Sequence, residues 1–268
     1  MQIIGSVMVR NEDVFVERAV RNVAAFCDRI YAFDHASDDM TWEILRGLAG
    51  ELDHLEVRRT RRSADSHAPI ERYAGTQTWA IGVDGDELYD PAALKRLREQ
   101  LLIGEHDDVF RLKGHVLNCE ALDVGAGVAT GYMAPPSRPV TKLFNLAAVE
   151  RWDGAVQRLH AGHPVFRSDY SWESMRYLYE LGWDNDPLRC LHVCFMPRSS
   201  LDGTSSSARR NVNETGLYER NLVGALKRKL RGPRIPNDVA RLHHSGTNWK
   251  REWYARGERM TLDARRFL

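Results

Sequence analysis

Residues Trp79–Asp90 read WAIGVDGDELYD, and this stretch decides the interpretation of the whole chain. It begins as an apolar run, which predicts a buried strand. Four acids follow within seven residues, at positions 84, 86, 87 and 90. Asp90 precedes Pro91 and a leucine stripe of helical spacing, so we predict that Asp90 caps a helix. The other three acids then lie at the end of a core strand, either as a polar turn or as part of a binding site.

Strands and helices alternate around this stretch. Apolar runs predict strands at Ile3–Val9, Arg29–Asp34, His54–Thr60 and Thr78–Asp84, and helical patterns follow Asp13, Met40 and Asp90. This alternation predicts an α/β fold with a mostly parallel central sheet flanked by helices. The second half predicts strands at Asp108–Leu117, Val140–Leu146 and Cys190–Met196, a helix at Ser171–Gly182, and a basic helix at Tyr218–Leu230.

Composition indicates an ordinary globular protein. The chain has 268 residues, of which 43% are hydrophobic and 28% charged, and no apolar run is long enough to predict a membrane span. Four scattered cysteines without a CxxC pair predict reduced thiols, and we expect a cytoplasmic protein. Residues 201–268 carry 15 Lys and Arg against 7 Asp and Glu. This basic segment is either a solvated tail or a segment that meets a bound anion.

Polar residues follow three of the predicted parallel strands. The strand ends read VRNE at Val9–Glu12, DHASDDMT at Asp34–Thr41 and DGDE at Asp84–Glu87. Ligands of open α/β sheets bind at the carboxyl ends of the strands, so we expect these three ends to form one site. Two carboxylates separated by Gly85 are suited to Mg²⁺ or Mn²⁺, although a polar turn is the simpler alternative.

In order and spacing these three motifs resemble the amino-terminal half of family-2-like glycosyltransferases of the GT-A fold. The second motif follows the family pattern D-N-x-S-x-D-G-T-x-E and departs from it at His35 and Met40. The resemblance implies a GT-A (Rossmann-like) fold and a nucleoside-diphosphate sugar as donor, bound with Mn²⁺ or Mg²⁺. It implies donor-binding roles for the three strand ends, carried by Val9, Arg10, Asn11, Glu12, Asp34, Asp84, Gly85 and Asp86.

The resemblance also points to residues in the second half of the chain. A histidine often completes the metal site of such enzymes, which favours His192 or His243 beside Asp84 and Asp86. An inverting enzyme needs a carboxylate base near a helix start, which favours Glu173 and then Asp169. Arg209 and Arg210 are expected to close over the diphosphate.

These expectations divide the chain into two parts. Residues 1–200 form a GT-A catalytic domain, with a nucleotide-sugar half at 1–104 and an acceptor half at 105–200. Residues 201–268 form a flexible loop and a basic helical extension. The acceptor is not identified by any motif.

Two other functions are compatible with parts of the sequence. A nucleotidyltransferase uses similar acids on a similar sheet, but it usually has a glycine-rich basic loop after the first strand. That place holds VRNEDVF, without a glycine. A nucleic-acid-binding protein would use the basic segment, yet the chain contains no known nucleic-acid motif, and we expect no nucleic-acid partner.

Overall fold

A computed structural model describes residues 1–61, 63–134, 142–153, 159, 162–201 and 257–268. The strands are β1 Gln2–Val9, β2 Arg29–Asp34, β3 Leu55–Arg59, β4 Thr78–Val83, β5 Glu87–Tyr89, β6 Arg111–Lys113, β7 Val116–Asp123, β8 Val128–Met133, β9 Lys142–Asn145, β10 Val149–Asp153, β11 His163–Phe166, β12 Met175–Tyr177, β13 Cys190–His192 and β14 Arg259–Asp263. The helices are α1 Val16–Ala24, α2 Thr41–Glu51, α3 Ala68–Glu71 and α4 Pro91–Leu102. Short 3₁₀ turns occupy Ser63–Ser66, Leu146–Ala148, Leu178–Leu181 and Arg265–Phe267.

A seven-stranded sheet forms the centre of the molecule, in the order β12-β6-β9-β4-β1-β2-β3. Neighbours β4, β1, β2 and β3 pair in parallel, and so do β12 and β6. Only β9 runs against its two neighbours in this sheet, β4 and β6. The predicted α/β class with a mostly parallel central sheet is therefore confirmed, in an arrangement consistent with a GT-A-like fold.

The two faces of this sheet are covered by different layers. Alternate residues of β1 face opposite sides of the sheet. Ile3, Val7 and Val9 pack in the large core that also contains buried residues of α1, α2 and α4. Ile4 instead packs with Ile70 of α3 and with aromatic residues of the β10–β11 hairpin. This alternation is the period of two that a strand buried on both faces requires.

A second sheet continues from the end of β4. Its five strands lie in the order β14-β8-β7-β13-β5, and β13 pairs with both β5 and β7. Strand β5 follows β4 after a turn of three residues, Asp84–Asp86. The second sheet therefore places β13, from the second half of the chain, directly beside the acids of the first half.

Three predicted elements are wrong in extent or type. The predicted helix Ser171–Gly182 is instead a turn, strand β12 and a 3₁₀ turn, because pairing with β6 at the sheet edge overrides its helical pattern. The strand predicted at Asp108–Leu117 divides into β6 and β7, which belong to different sheets. A side chain at Gly114, between them, would meet the carbonyl oxygen of Leu188 at 2.6 Å. The strand predicted at Cys190–Met196 ends at His192.

The end of the chain returns to the body of the molecule. Strand β14 pairs with β8, and Phe267 is buried in the main core. Arg259–Asp263 are thus a strand of the second sheet rather than part of a helical extension, whereas the predicted basic helix Tyr218–Leu230 lies outside the described residues. Among the residues that the structure describes, no helix has the length and apolarity to cross a membrane.

Candidate functional site

The three polar strand ends meet at the carboxyl edge of the central sheet. His35 donates its backbone N–H to the carbonyl oxygen of Val9 at 2.8 Å, which joins the loops after β1 and β2. Val193 donates in the same way to Asp86 at 2.9 Å, which joins the end of β13 to the turn after β4. A fourth segment, the end of β13 that carries the candidate residue His192, therefore takes part in the site.

Two hydrogen bonds between Asp84 and Glu87 close the turn that these residues begin and end. Asp84 donates its backbone N–H to Glu87 Oε2 at 3.0 Å, and Glu87 donates its N–H to the Asp84 carbonyl oxygen at 3.0 Å. A side-chain carbon at Gly85 would lie 2.1 Å from Glu12 Oε2 and 2.8 Å from Val9. Glycine is therefore required at position 85, because the loop after β1 packs directly against the turn.

Lys142 lies between two of the acids. Its Nζ is 2.9 Å from Asp84 Oδ1 and 3.2 Å from Glu87 Oε1, and its side chain is only 4% exposed. Strand pairing sets this position, since Lys142 of β9 is the partner of Gly82 in β4. Burial raises the pKa of the Glu87 carboxyl to about 7, against the opposing charge of Lys142. No sequence motif indicated Lys142. A lysine within the predicted apolar strand Val140–Leu146 was the one available signal of a buried charge.

Asp86 is bound by two basic groups. Arg198 Nη1 lies 2.6 Å from Asp86 Oδ2 and 3.4 Å from Glu12 Oε1, and His192 Nε2 lies 3.5 Å from the same Asp86 oxygen. Burial alone would raise the pKa of the Asp86 carboxyl, but the charges of Arg198 and His192 outweigh burial and hold that pKa well below its usual range. Asp86 is therefore ionised at neutral pH.

His192 has partners on both ring nitrogens. Its Nδ1 lies 2.8 Å from Asn118 Oδ1, an acceptor, so Nδ1 carries a proton. Burial lowers the pKa of His192, but Cys194 and Asp86 act in the opposite direction and the net pKa is well above its ordinary value. The imidazole therefore lies between Asn118 and Asp86, with Nε2 3.5 Å from the carboxylate oxygen.

The loop after β2 is fixed by residues that the resemblance assigned to donor binding. Asp34 accepts hydrogen bonds from the Ser37 N–H and lies 3.0 Å from Arg59 Nε. Arg10 Nη1 donates to the carbonyl oxygens of His35 and Ala36 at 2.7 and 3.0 Å. Asn11 accepts from the Asp38 N–H at 2.8 Å. These residues hold the two loops together, and the loops form one wall of the site.

Residues 198–201 cross both loops. Val14 donates its N–H to the carbonyl oxygen of Arg198 at 3.1 Å, and Ser199 Oγ donates to Asp39 Oδ2 at 2.6 Å. Ser200 donates its N–H to Asp13 Oδ1 at 2.7 Å. The chain therefore leaves the described region directly above the site, and the predicted contacts of Arg209, Arg210 and His243 lie outside the described residues.

The structure places both predicted catalytic bases elsewhere. Asp169 lines a cavity of 340 Å³ together with Met1, Gln77 and Thr78. These residues mark the amino ends of β1 and β4, opposite the edge that carries Asp84. Glu173 is exposed and precedes β12, which runs parallel to β6, so Glu173 also lies toward the amino end. The assignment of these two acids as bases is corrected, because the helix start that suggested them does not exist.

The predicted metal ligands are also arranged differently from the expectation. The carboxylates of Asp84 and Asp86 contact the basic side chains of Lys142 and Arg198, and His192 Nε2 lies 3.5 Å from Asp86 Oδ2. Within the described ranges, no group of three or more His, Cys, Asp or Glu side chains is placed to hold a metal ion. The described residues therefore do not fit the expected Mn²⁺ or Mg²⁺ site.

Comparisons with known proteins add little to this geometry. No protein-family model and no curated protein matches the chain. The solved structures that it resembles include a mannosyltransferase from Pyrobaculum calidifontis in complex with GDP-Man and Mn²⁺, with 20% identity, TM-score 0.31, and 45% of this chain and 36% of that chain covered. They also include glucosyl-3-phosphoglycerate synthase from Mycobacterium tuberculosis in complex with phosphoglyceric acid, with 16% identity, TM-score 0.31, and 43% and 44% covered.

A third neighbour belongs to another class of enzyme. It is mannose-6-phosphate isomerase from Helicobacter pylori, with 10% identity, TM-score 0.32, and 54% of this chain and 60% of that chain covered. This chain thus spans less than two thirds of each of these three neighbours. At TM-scores this low the neighbours carry no argument about function, so we argue the function from the site itself.

Proposed function

We propose that this protein is a glycosyltransferase that takes its sugar from a nucleoside-diphosphate sugar. The observation that carries the proposal is the meeting of three strand-end loops at one carboxyl edge, with Asp34 on one side and the Asp84–Asp86 turn on the other. A nucleotide bound along such an edge has its base beside one loop and its phosphates beside the next. The family resemblance of the same three motifs supports the same substrate.

The roles in this proposal follow the order of the loops. The segment Val9–Glu12 and Asp34 form the wall for the base and ribose, and Asp84 and Asp86 lie toward the ribose and the diphosphate. Arg198, 23% exposed, supplies positive charge at the diphosphate end. The inverting course expected from the sequence depended on Glu173 or Asp169, and the proposal does not include it, because neither acid is at this edge.

Hydrolysis of the donor tests the proposal. The purified protein is incubated with UDP- and GDP-sugars, and release of the nucleoside diphosphate is measured. We expect Asp86→Asn to lower this release by about tenfold or more, since it removes a charge that holds Arg198 in place. The control is Asp153→Asn, an exposed acid on β10. Circular dichroism of each variant verifies that it is folded.

Two outcomes would count against a glycosyltransferase. Equal release by Asp86→Asn and Asp153→Asn would show that the carboxyl edge is not the donor site. Release of pyrophosphate from a nucleoside triphosphate and a sugar phosphate, without hydrolysis of any nucleotide sugar, would indicate a nucleotidyltransferase instead.

A further inference from the structure

The acid cluster of the site, defined as Glu12, Asp84, Asp86 and Glu87, is neutralised from within the chain. All four residues are buried, with relative exposures of 1–8%. Buried carboxylates are costly unless a cation or several hydrogen-bond donors meet them. Lys142 and Arg198 do so here as cations, and the His192 ring lies 3.5 Å from Asp86 as a third basic group. The cluster therefore has little uncompensated negative charge to offer a dication.

Lys142 is a permanent part of this arrangement. Its backbone is fixed by the pairing of β9 with β4, opposite Gly82, and its ammonium lies between Asp84 and Glu87. A dication bound at Asp84 would lie next to this ammonium, and displacing it would leave a buried charge without its two partners. Both alternatives are unfavourable, so Asp84 is not available as a metal ligand.

Arg198 is the member of the three that a ligand can reach. Its side chain is 23% exposed, compared with 4% for Lys142 and 8% for His192. It lies on the segment that crosses the loops after β1 and β2. A guanidinium presents several N–H donors in a planar fork, which suits it to contact a phosphate while it still contacts a carboxylate.

We propose that the site binds the diphosphate of its donor without a divalent cation. Lys142 neutralises Asp84 and Glu87, and Arg198 contacts the diphosphate from its position beside Asp86 and Glu12. This inference rests on the proposed function, and it replaces the metal that the family resemblance implied with two basic residues of the chain. It also explains why the buried Lys142 lies beside the Asp84–Glu87 motif.

Calorimetric titration of UDP and GDP tests the proposal, in EDTA and in Mn²⁺. We expect the affinity of the wild type for the nucleoside diphosphate that it prefers to agree within about twofold between the two buffers. Arg198→Met should weaken binding by about tenfold in both buffers, and Arg198→Lys should recover part of the loss. The matched control is Lys95→Met, an exposed lysine on α4.

Lys142→Met provides a readout that does not depend on catalysis. Without the ammonium, Asp84 and Glu87 are uncompensated, so Mn²⁺ alone should raise the melting temperature of this variant but not that of the wild type. If this variant does not fold, the titrations of Arg198→Met and of the wild type still decide the question.

The outcomes separate the inference from the proposed function. If Mn²⁺ strengthens binding of the nucleoside diphosphate to the wild type by about tenfold or more, a dication is a ligand of the site and the inference is wrong, while the function stands. If neither nucleoside diphosphate binds in either buffer, the proposed function fails and the inference fails with it.

Discussion

At the scale of single residues, the acids of Trp79–Asp90 have two separate structural roles. Asp84, Asp86 and Glu87 belong to the ion-paired cluster at the sheet edge. Asp90 is the predicted helix cap, and its Oδ1 accepts the N–H groups of Ala92 and Ala93 at 2.9 and 3.1 Å. Its other oxygen, Oδ2, accepts from Arg189 at 2.6 Å. The same side chain thus starts α4 and joins it to the loop before β13.

The Asp90–Arg189 pair leads to a prediction about stability. Both side chains are at most 2% exposed, so Arg189→Met leaves the Asp90 carboxylate buried without its cation. We expect the free energy of unfolding to fall by about 3–5 kcal/mol. The control Arg21→Met removes exposed pairs with Glu17 and Glu51 and should leave the free energy of unfolding nearly unchanged. Urea denaturation measures both, and equal losses would contradict the importance of burial.

At the scale of elements, close backbone contacts decide how the second sheet assembles. Gly131 lies in β8, between Cys119 of β7 and Met260 of β14. A side-chain carbon at this position would lie 2.1 Å from the carbonyl oxygen of Asn118, a distance that no relaxed structure tolerates. The absence of a side chain is therefore needed for three strands to pair.

We expect Gly131→Ala to lower the free energy of unfolding by about 3 kcal/mol, since β7 and β8 must move apart. Gly47→Ala is the matched control, because nothing lies within 4 Å of the added carbon in the middle of α2. That substitution should stabilise the protein by about 0.5–1 kcal/mol, as alanine is the better helix residue. Thermal unfolding of the two variants should shift in opposite directions. A shared direction would show that the carbonyl of Asn118 yields easily.

At the scale of the whole molecule, the end of the chain joins the two halves. Asn22 of α1 donates through Nδ2 to the carbonyl oxygens of Tyr89 and Phe267, at 2.8 and 2.9 Å. The ring of Phe267 packs at 5.9 Å from that of Trp183. One side chain of the first helix therefore binds both the segment after the acid cluster and the last turn of the chain.

This arrangement predicts that the end of the chain is required for stability. Phe267 is 2% exposed, so Phe267→Ala should lower the free energy of unfolding by about 3–5 kcal/mol. Leu102→Ala, at a position that is 49% exposed, should change it by at most about 0.5 kcal/mol. Guanidinium denaturation followed by far- and near-ultraviolet circular dichroism measures both. A loss for Phe267→Ala no larger than that for Leu102→Ala would show that the chain end is dispensable.

Local signals in the sequence were sufficient to predict the first half of the fold. Periodicity and caps are local signals, and they predicted β1, β2, α2, β4 and α4 because each buries its own apolar pattern in the central sheet. They also predicted the meeting of three polar strand ends, since parallel strands that begin together also end together.

Which basic side chains contact the acids, and where the second half of the chain lies in the fold, follow from contacts between segments that are distant in sequence. Lys142 reaches Asp84 through the pairing of β9 with β4, and Arg198 reaches Asp86 across 112 positions of the chain. Pairing with β6 makes Met175–Tyr177 a strand, β12, where the sequence predicted the helix Ser171–Gly182. Glu173 and Asp169 therefore lie away from the acid cluster. Such contacts depend on which distant strands pair, and the pattern of a single strand does not specify its partner.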